Sequence, residues 1–268
     1  MTQTYFEKTK GFVTASKLKD FMSCEMLYYL KWIEGHAQEE ETTDALEFGN
    51  ILDAYVTLGD KAFWKKYTIL EPRKSRKTEF DIKNSDGEKL LKMIEEIKRQ
   101  PLFLDSKDYD KQELISCEYK GLKLCGRLDR YSKKKKIIRD TKSCRSHSGE
   151  FHYSDSFHNQ AFLFDYPFSM AFYAILARIR DEIDCEVGLD VFAKNNGLYQ
   201  LYMIPNDIIN PEKHRIIEQL DKLATKKKKE DYKCEAEYDR CLRCPMATKC
   251  KQTIQVKPEW LESPLNKY

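Results

Sequence analysis

Residues 125–142 read CGRLDRYSKKKKIIRDTK, and this segment decides both the expected fold and the expected site. Runs rich in β-forming residues flank the four lysines, which predicts a β-hairpin that turns at the lysines. Asp140 and Lys142 are two positions apart on the second strand, so their side chains project from the same face. Asp129 comes alongside them if the hairpin forms. The segment therefore predicts two carboxylates and one ammonium group in a small volume.

An ion pair on the surface of a hairpin is the alternative explanation of these charges. Ile137 and Ile138 lead directly into the second strand, which favours a buried strand. Buried charges are costly unless they are paired or bound to a metal. The residues alone leave the ion pair and the metal site open.

Helical and strand patterns alternate along the rest of the chain and predict a mixed α/β or α+β domain. Helices are expected over 14–34, 44–59, 157–181 and 211–230, and short helices with basic loops over 60–110, including a turn at Asp86-Gly87. Strands are expected over 112–119, 123–131, 136–142, 185–194 and 198–204. We expect a single domain (1–268) with a helical part (14–110), a sheet core (111–205) and a C-terminal helix with a cysteine-bearing tail (206–268).

Composition excludes several classes of protein. The chain has 268 residues, of which 41% are hydrophobic, 12% aromatic and 34% charged, which is typical of a folded globular chain. No run approaches the roughly 20 uncharged apolar residues of a membrane helix, and the N-terminus lacks the pattern of a secretory signal. A cytoplasmic location without a membrane partner is therefore expected. The oligomeric state is not predicted, and no phosphate loop of the GxxxxGK[ST] type occurs.

Two lysine runs, 133–136 and 226–229, interrupt a chain that has 47 basic and 44 acidic residues. Such runs lie in water or against an anion. A solvated loop and a contact with nucleic-acid phosphates both remain open on this basis.

The cysteines indicate a metal centre rather than a disulfide framework. Nine cysteines is an odd number, and no secretion signal accompanies them. Cys241, Cys244 and Cys250 form C-x2-C-x5-C in a polar stretch, which favours a metal centre over a set of buried thiols. The spacing does not separate zinc from an iron–sulfur cluster, because both accept cysteine thiolates.

Four sequence blocks resemble, in the right order, the PD-(D/E)XK nucleases, and more closely the RecB-like and RecE-like exonucleases that include lambda-type exonuclease. The blocks are TASKLKDFMSCEMLYYL (14–30), FGNILDAY (48–55), GRLD with IIRDTK (126–129 and 137–142), and YPFSMAFYAIL (166–176). They match the family patterns S-x-L-x-x-F-x-x-C-P-x-x-Y, G-x-x-x-H-A, G-x-x-D with I-x-D-x-K, and Q-x-x-x-Y. The resemblance implies a restriction-endonuclease-like core, in which helices flank a mixed central sheet.

The resemblance also implies roles for individual residues. Asp129 and Asp140 would hold Mg²⁺ or Mn²⁺, because these cations prefer hard oxygen ligands. Asp53 and the backbone carbonyl of Thr141 would be further ligands. Lys142 would position the attacking water and help to activate it.

Two positions in this region depart from the family pattern. Asp53 stands where the family has His, and it can still ligate a hard cation. Ser169 stands where the family has Gln, and its short hydroxyl cannot reach where an amide would. Tyr173, four residues later, would contact the DNA or support the site. The lysines of the predicted turn would touch DNA phosphates: Lys133, Lys134, Lys135 and Lys136.

In AddB-type and CRISPR-associated RecB-like nucleases, C-x2-C-x5-C is joined by a cysteine on the opening helix. The resemblance therefore implies a [4Fe–4S] cluster, with zinc as the alternative, on four cysteines: Cys24, Cys241, Cys244 and Cys250. Cys234 is the rival for the fourth position. Glu25 stands where the family has Pro. Such a cluster would join the two ends of the chain and stabilise their folding.

The resulting expectation is a Mg²⁺- or Mn²⁺-dependent deoxyribonuclease, most simply an exonuclease of DNA recombination or repair, alone or with a recombinase or helicase partner. A catalytically weak DNA-binding or scaffold subunit is the alternative, and Asp53 and Ser169 favour it. A zinc-ribbon protein that binds nucleic acid would explain the cysteines but would leave Asp129, Asp140 and Lys142 without a role.

Overall fold

The structure is a computed structural model that describes residues 5–37, 43–76, 78–100, 108–147, 165–234, 241 and 243–250. The helices are α1 (Tyr5–Lys8), α2 (Ala15–Ser23), α3 (Glu25–Tyr28), α4 (Asp44–Leu58), α5 (Asp60–Lys66), α6 (Asn84–Arg99), α7 (Tyr166–Asp181), α8 (Asn206–Ala224) and α9 (Ala247–Cys250). A π-helical turn covers Tyr29–Ile33, and a 3-10 turn covers Lys229–Asp231. The strands are β1 (Thr68–Ile69), β2 (Asp81–Ile82), β3 (Asp110–Tyr119), β4 (Leu122–Ser132), β5 (Ile137–Cys144), β6 (Glu186–Ala193) and β7 (Tyr199–Ile204).

The chain divides into two compact units. The terminal unit consists of Met1–Glu39, Tyr119–Lys123 and Ile217–Tyr268, so it contains both ends of the chain. The sheet unit consists of Glu40–Glu118 and Leu124–Ile216. The predicted carboxylates and the predicted metal-binding cysteines therefore belong to different units.

Five strands form one mixed sheet in the order β3-β4-β5-β6-β7. β4 and β5 are antiparallel, as are β6 and β7. β5 and β6 are parallel, from Ile137 opposite Glu186 to Cys144 opposite Ala193. A parallel pair needs a crossover connection, and α7 lies in that connection. The predicted α/β class, with helices flanking a mixed sheet, is therefore confirmed.

The predicted strands of this sheet are confirmed, with bounds that differ by at most two residues. The lysine run forms the turn between β4 and β5, and Lys136 closes it with a φ of 52°. β6 is buried from Val187 to Ala193, as expected for a central strand covered on both faces. Alternation and β-forming residues therefore located the sheet correctly.

The prediction of one continuous helix over 14–34 is wrong. α2 ends at Ser23, and Cys24 has an extended backbone with φ −165° and ψ 119°. α3 begins at Glu25, and the π-helical turn follows it. The helical periodicity continues across the break, so only the backbone conformation of Cys24 reveals it.

Two later helices also differ from prediction at their N-terminal ends. α7 begins at Tyr166 and carries Pro167 in its first turn, where a missing N–H costs little. The predicted stretch 157–164 lies outside the described residues. α8 begins at Asn206, five residues before the predicted start, and includes Pro211 within the helix.

The predicted turn at Asp86-Gly87 is wrong, because both residues lie in the first turn of α6. Gly87 is required there for a different reason. A Cβ atom at Gly87 would lie 2.5 Å from Cγ2 of Ile69 on β1, so the glycine lets the strand approach the helix.

Apolar packing fixes the helices that carry the candidate site. α4, α5 and α6 share a core with Phe192 of β6, and its buried residues include Phe48, Leu52, Phe63, Leu90 and Met93. α7 contacts β5 and β6, and α4 contacts β5. α4 and β5 are therefore neighbours within the sheet unit.

A buried ionic network ties four strands of the sheet together. Asp190 on β6 pairs with Arg139 on β5 and lies 3.6 Å from a guanidinium nitrogen of Arg130 on β4. The hydroxyl of Tyr199 on β7 donates a hydrogen bond of 2.8 Å to Asp190. Breaking a buried pair of this kind by removing one partner costs about 3–5 kcal/mol. The network therefore fixes the strands that carry Asp129 and Asp140, the immediate neighbours of the two arginines.

Candidate active site

The structure brings Asp53 and Asp129 to a shared partner, the side-chain amide of Gln112. Nε2 of Gln112 donates to both oxygens of Asp53, at 2.7 and 2.9 Å, and to Oδ1 of Asp129 at 3.1 Å. The backbone N–H of Thr141 donates to Oδ2 of Asp129 at 2.9 Å. Both Asp129 oxygens therefore accept hydrogen bonds, one from β3 and one from β5.

Asp140 and Lys142 form an ion pair on β5, as their spacing predicts. Asp140 is 7% exposed, so its carboxylate is nearly withdrawn from water. Nζ of Lys142 lies 5.3 Å from the centre of the Tyr166 ring at the start of α7. Asp140 is therefore buried and Lys142 is partly buried, which is not the arrangement of a plain surface ion pair.

Gly126 explains how α7 reaches the site. A Cβ atom at Gly126 would lie 2.9 Å from Cε1 of Tyr173 and 2.9 Å from Cδ1 of Leu176. The glycine in GRLD is therefore required for close packing of α7 against β4. This packing holds Tyr173 beside the strand that carries Asp129.

The electrostatics of the cluster reflect three carboxylates crowded in a poorly hydrated volume. Burial, with the charge of Asp129 added, raises the pKa of Asp53 to about 6. Burial raises the pKa of Asp140 to about 7 against the opposing effect of Lys142, and the charges of Asp129 and Asp53 add to the rise. Burial alone would lower the pKa of Lys142, but Asp140 and Asp129 outweigh it and raise that pKa.

The donor set suits a divalent cation, although the carboxylates are engaged with protein partners. Carboxylate oxygens are the ligands that Mg²⁺ and Mn²⁺ prefer. A cation among them would oppose the effects of burial and of neighbouring negative charge that raise the pKa values of Asp53 and Asp140. Within the described ranges, no group of three or more His, Cys, Asp or Glu side chains is arranged closely enough to hold a metal ion. Gln112 and the N–H of Thr141 instead donate hydrogen bonds to Asp53 and Asp129, and Lys142 forms an ion pair with Asp140.

Sequence reasoning missed Gln112 and Arg127. Gln112 lies near the start of β3 and Arg127 on β4, and the positive charge of Arg127 opposes the rise in the pKa of Asp53. Gln112 belongs to no recognisable motif, and Arg127 stands at a variable position of the G-x-x-D pattern. Gln112 can be recognised as a site residue only from the structure, in which the sheet order places β3 beside β4.

The lysines of the β4–β5 turn have acidic neighbours. Lys133 pairs with Asp181 at 2.9 Å, and Lys134 and Lys135 pair with Asp108 at 3.5 and 3.2 Å. Lys134 and Lys135 are the more exposed partners of Asp108, and pairs at the surface contribute only about 0–1 kcal/mol. These two lysines can therefore exchange Asp108 for phosphate at little cost.

The terminal unit gathers thiols around Cys234. Sγ of Cys234 lies 4.0 Å from Sγ of Cys250, and it forms side-chain hydrogen bonds with Cys24 and Cys241. Burial raises the pKa of the Cys24 and Cys241 thiols, and the neighbouring Cys234 adds to both shifts. The sulfur of Cys244 accepts a hydrogen bond from the backbone N–H of Met246 at 3.4 Å. The rival cysteine therefore contacts three of the four predicted ligands, Cys24, Cys241 and Cys250.

Glu25 explains why Cys24 and Cys234 are neighbours. Its carboxylate is buried, pairs with Lys226 at 2.7 Å and accepts a hydrogen bond from the backbone N–H of Lys233 at 2.9 Å. Glu25 directly follows Cys24, and Lys233 directly precedes Cys234. Glu25, which stands where the resembling families have Pro, thus holds the two segments together.

A mixed sheet that carries two aspartates and a lysine on an antiparallel hairpin is the arrangement of the PDDEXK-like fold. A family model described as "PDDEXK-like domain of unknown function (DUF3799)" matches residues 14–245. The chain belongs to this family. The match covers every candidate site residue except Cys250.

The solved structure of one similar protein agrees with this fold. A putative exonuclease from Eubacterium rectale is similar over 98% of this chain and 99% of its own, with 18% identity and a TM-score of 0.65. A phage related exonuclease from Haemophilus somnus matches 79% of this chain and 94% of its own, with 16% identity and a TM-score of 0.34. No curated protein matches the chain. Of the helices that the structure describes, none has the length and apolarity needed to cross a membrane.

Proposed function

We propose that this chain is a metal-dependent nuclease that hydrolyses phosphodiester bonds in DNA. The observation that carries the proposal is the cluster of Asp53, Asp129, Asp140 and Lys142 in the sheet unit of a PDDEXK-like fold. Binding of DNA alone would not require three crowded carboxylates, since they repel phosphate. A cation among them turns that repulsion into attraction.

Asp53, Asp129 and Asp140, with the backbone carbonyl of Thr141, would hold Mg²⁺ or Mn²⁺. The cation would polarise the phosphodiester and lower the pKa of a bound water. Asp140 is the most buried of the carboxylates, and Lys142 keeps it paired. This pairing favours an ionised Asp140 when the cation binds.

Lys142 orients the attacking water and stabilises negative charge at the scissile phosphate. Its raised pKa keeps it protonated at neutral pH, so it donates hydrogen bonds and does not abstract a proton. Tyr173, on the helix that packs against Gly126, supports the site or touches the DNA.

The turn lysines, Lys133 to Lys136, supply phosphate contacts next to the catalytic hairpin. Replacing all four with alanine should weaken DNA binding and reduce the slope of log affinity against log salt by roughly one unit for each phosphate that is no longer neutralised. Fluorescence anisotropy at several salt concentrations measures this slope. An unchanged slope would assign the lysines to a solvated loop.

The finer assignment is an exonuclease of DNA recombination or repair that works alone or with a recombinase or helicase partner. The name of the E. rectale protein, a putative exonuclease, supports this choice. The second candidate is a catalytically weak DNA-binding or scaffold subunit. Ser169 favours it, because the hydroxyl is too short to replace the family amide, and so does the replacement of the family His by Asp53.

The test is an assay of the purified chain with end-labelled linear DNA and with closed circular DNA, each with Mg²⁺, Mn²⁺ or a chelator. Loss of end label from linear DNA, with circular DNA intact, supports a metal-dependent exonuclease. Nicking of the circle indicates an endonuclease. DNA binding without cleavage in either metal supports the second candidate and contradicts the nuclease.

We also propose a thiolate-bound [4Fe–4S] cluster in the terminal unit, with zinc as the alternative, on four cysteines: Cys24, Cys241, Cys244 and Cys250. The contacts of Cys24, Cys241 and Cys250 with Cys234 support a soft-metal site among these thiols. Because the terminal unit contains both ends of the chain, such a cluster would cross-link sequence segments that are far apart and stabilise them.

A further inference from the structure

Gln112 occupies an unusual position among the site carboxylates. Its Nε2 lies within hydrogen-bond distance of three carboxylate oxygens, the two oxygens of Asp53 and Oδ1 of Asp129. An amide nitrogen carries two hydrogens, so at least one of them is shared between two of the three oxygens. A cation held in bidentate fashion by Asp53 and shared with Asp129 would occupy the same side of both carboxylates.

The distances show that the amide and a cation cannot share this position. The nitrogen lies 2.7 to 3.1 Å from the oxygens, whereas Mg²⁺ binds oxygen at about 2.0–2.1 Å. A cation at that distance would overlap the amide of Gln112. Asp53 can therefore accept hydrogen bonds from the amide or ligate a cation through both oxygens, but it cannot do both at once.

The other two carboxylate partners are less able to leave. The backbone N–H of Thr141 is fixed within β5, and the positively charged side chain of Lys142 neutralises Asp140. Gln112, by contrast, is neutral, and it is only partly buried. Its side chain is the partner that can turn away without leaving a buried charge unbalanced.

The backbone of Gln112 supports a second conformation. Its φ is 53°, in the left-handed region, although it lies near the start of β3. Residues other than glycine are strained in this region and persist there when surrounding contacts require it. The hydrogen bonds to Asp53 and Asp129 are such contacts. Losing them would release the backbone toward an ordinary extended conformation and move the side chain out of the site.

We propose that Gln112 is a positioning residue whose amide competes with the catalytic cation for Asp53 and Asp129. The amide keeps the two carboxylates together in the absence of metal and turns away when the cation binds. This inference rests on the proposed function, because it concerns the same site. It adds a residue that sets how tightly the cation binds, which is distinct from the residues that ligate it.

Isothermal titration calorimetry with Mn²⁺ tests the competition. The titration is performed at about pH 8.5, above the pKa values of about 6 and about 7 at Asp53 and Asp140, so that protons do not compete. Gln112→Ala removes the competing amide and should lower the Kd for Mn²⁺ about tenfold, the effect of losing hydrogen bonds to charged groups. Gln112→Asn, whose amide is one methylene too short but which tolerates the left-handed backbone, should do the same.

Two controls separate competition from a structural role. Gln200→Ala removes an exposed glutamine from β7 and should leave the Kd unchanged. In an Asp53→Asn background, Gln112→Ala should tighten Mn²⁺ binding less than it does in the wild-type background, since Asp129 is then the only carboxylate that the amide and the cation share. A merely structural Gln112 would give weaker binding on substitution, because the carboxylates would lose their alignment.

The outcomes distinguish this inference from the proposed function. A Kd that is unchanged or higher in both Gln112→Ala and Gln112→Asn overturns the competition, even where the wild-type chain cleaves DNA. If the Gln112 variants bind Mn²⁺ more tightly but the wild-type chain does not cleave DNA, the competition is supported and the proposed nuclease function is contradicted. Absence of Mn²⁺ binding in the wild type and in every Gln112 variant overturns both.

Discussion

At the scale of single residues, the site depends on how buried carboxylates are kept ionised and in place. Asp129 accepts hydrogen bonds on both oxygens. Burial and neighbouring negative charge oppose ionisation of Asp53 and Asp140 and raise their pKa values. A divalent cation favours the ionised forms and therefore competes with protons. The affinity for the cation is consequently coupled to pH.

We expect Mn²⁺ binding to weaken as the pH falls through about 7 and then about 6, where Asp140 and then Asp53 take up protons. Above the higher value both groups are ionised, so the affinity should reach a plateau. Calorimetric titration at several pH values measures the profile. In Asp53→Asn, the decrease in Mn²⁺ affinity near pH 6 should disappear, because the group that takes up the proton there is gone. An affinity that does not vary between about pH 5.5 and about pH 8.5 would contradict the coupling.

The sequence predicted part of this site for a simple reason. Asp140 and Lys142 share a strand face, and a hairpin of known turn position brings Asp129 to them, so local spacing is sufficient. Asp53 lies on a distant helix and was found only through the resemblance. Gln112 was not predicted, because its place depends on the pairing of β3 with β4 and on a left-handed backbone that no residue type at this position signals.

At the scale of elements, close approach of α7 to β4 determines where the helix residues of the site lie. Gly126 permits this approach, because a Cβ atom there would meet Tyr173 and Leu176. The sequence predicted both elements but not the distance between them. Because the sequence does not reveal such distances, it also led to the incorrect prediction of a turn at Asp86-Gly87. Gly87 instead allows close packing of a helix against a strand.

Gly126→Ala should destabilise the protein by about 1–3 kcal/mol, as overpacking in a core does, and should displace Tyr173. Thermal unfolding gives the change in stability, and single-turnover cleavage gives the change in activity. Gly49→Ala on α4 is the matched control, because an added Cβ atom there would meet nothing within 4 Å and alanine favours a helix. Equal stability of the Gly126 variant and the wild type would contradict the packing explanation.

At the scale of the whole molecule, the N-terminal and C-terminal segments belong to one unit, and the carboxylate cluster lies in the other. Glu25 and its lysine partners hold the segment of Cys24 beside that of Cys234. The C-x2-C-x5-C spacing and the resemblance predicted a thiol group that joins the ends. The break of the first helix at Cys24 was not predicted, since the apolar periodicity runs through it.

We expect protein purified without oxygen to contain about four irons per chain and to be brown, as thiolate-bound iron–sulfur centres are. Cys24→Ser should lose iron and colour and unfold at a lower temperature, because binding of the cluster stabilises the folded chain. Cys234→Ser is the matched control, since this residue lies in the same thiol group, and it should retain the iron. One zinc and no iron would favour the zinc alternative. Loss of iron in Cys234→Ser but not in Cys24→Ser would show that the fourth ligand is Cys234 and not Cys24.

The most direct test of the account is the single-turnover rate of DNA cleavage with Mn²⁺ in Asp140→Asn and Lys142→Ala. Each variant should retain its fold, by circular dichroism and thermal unfolding, and should cleave at least about 100-fold more slowly than the wild type. Asp184→Asn and Lys74→Ala, at exposed ion pairs away from the cluster, should cleave at the wild-type rate. Cleavage by either site variant at the wild-type rate would contradict the assignment of nuclease chemistry to this cluster.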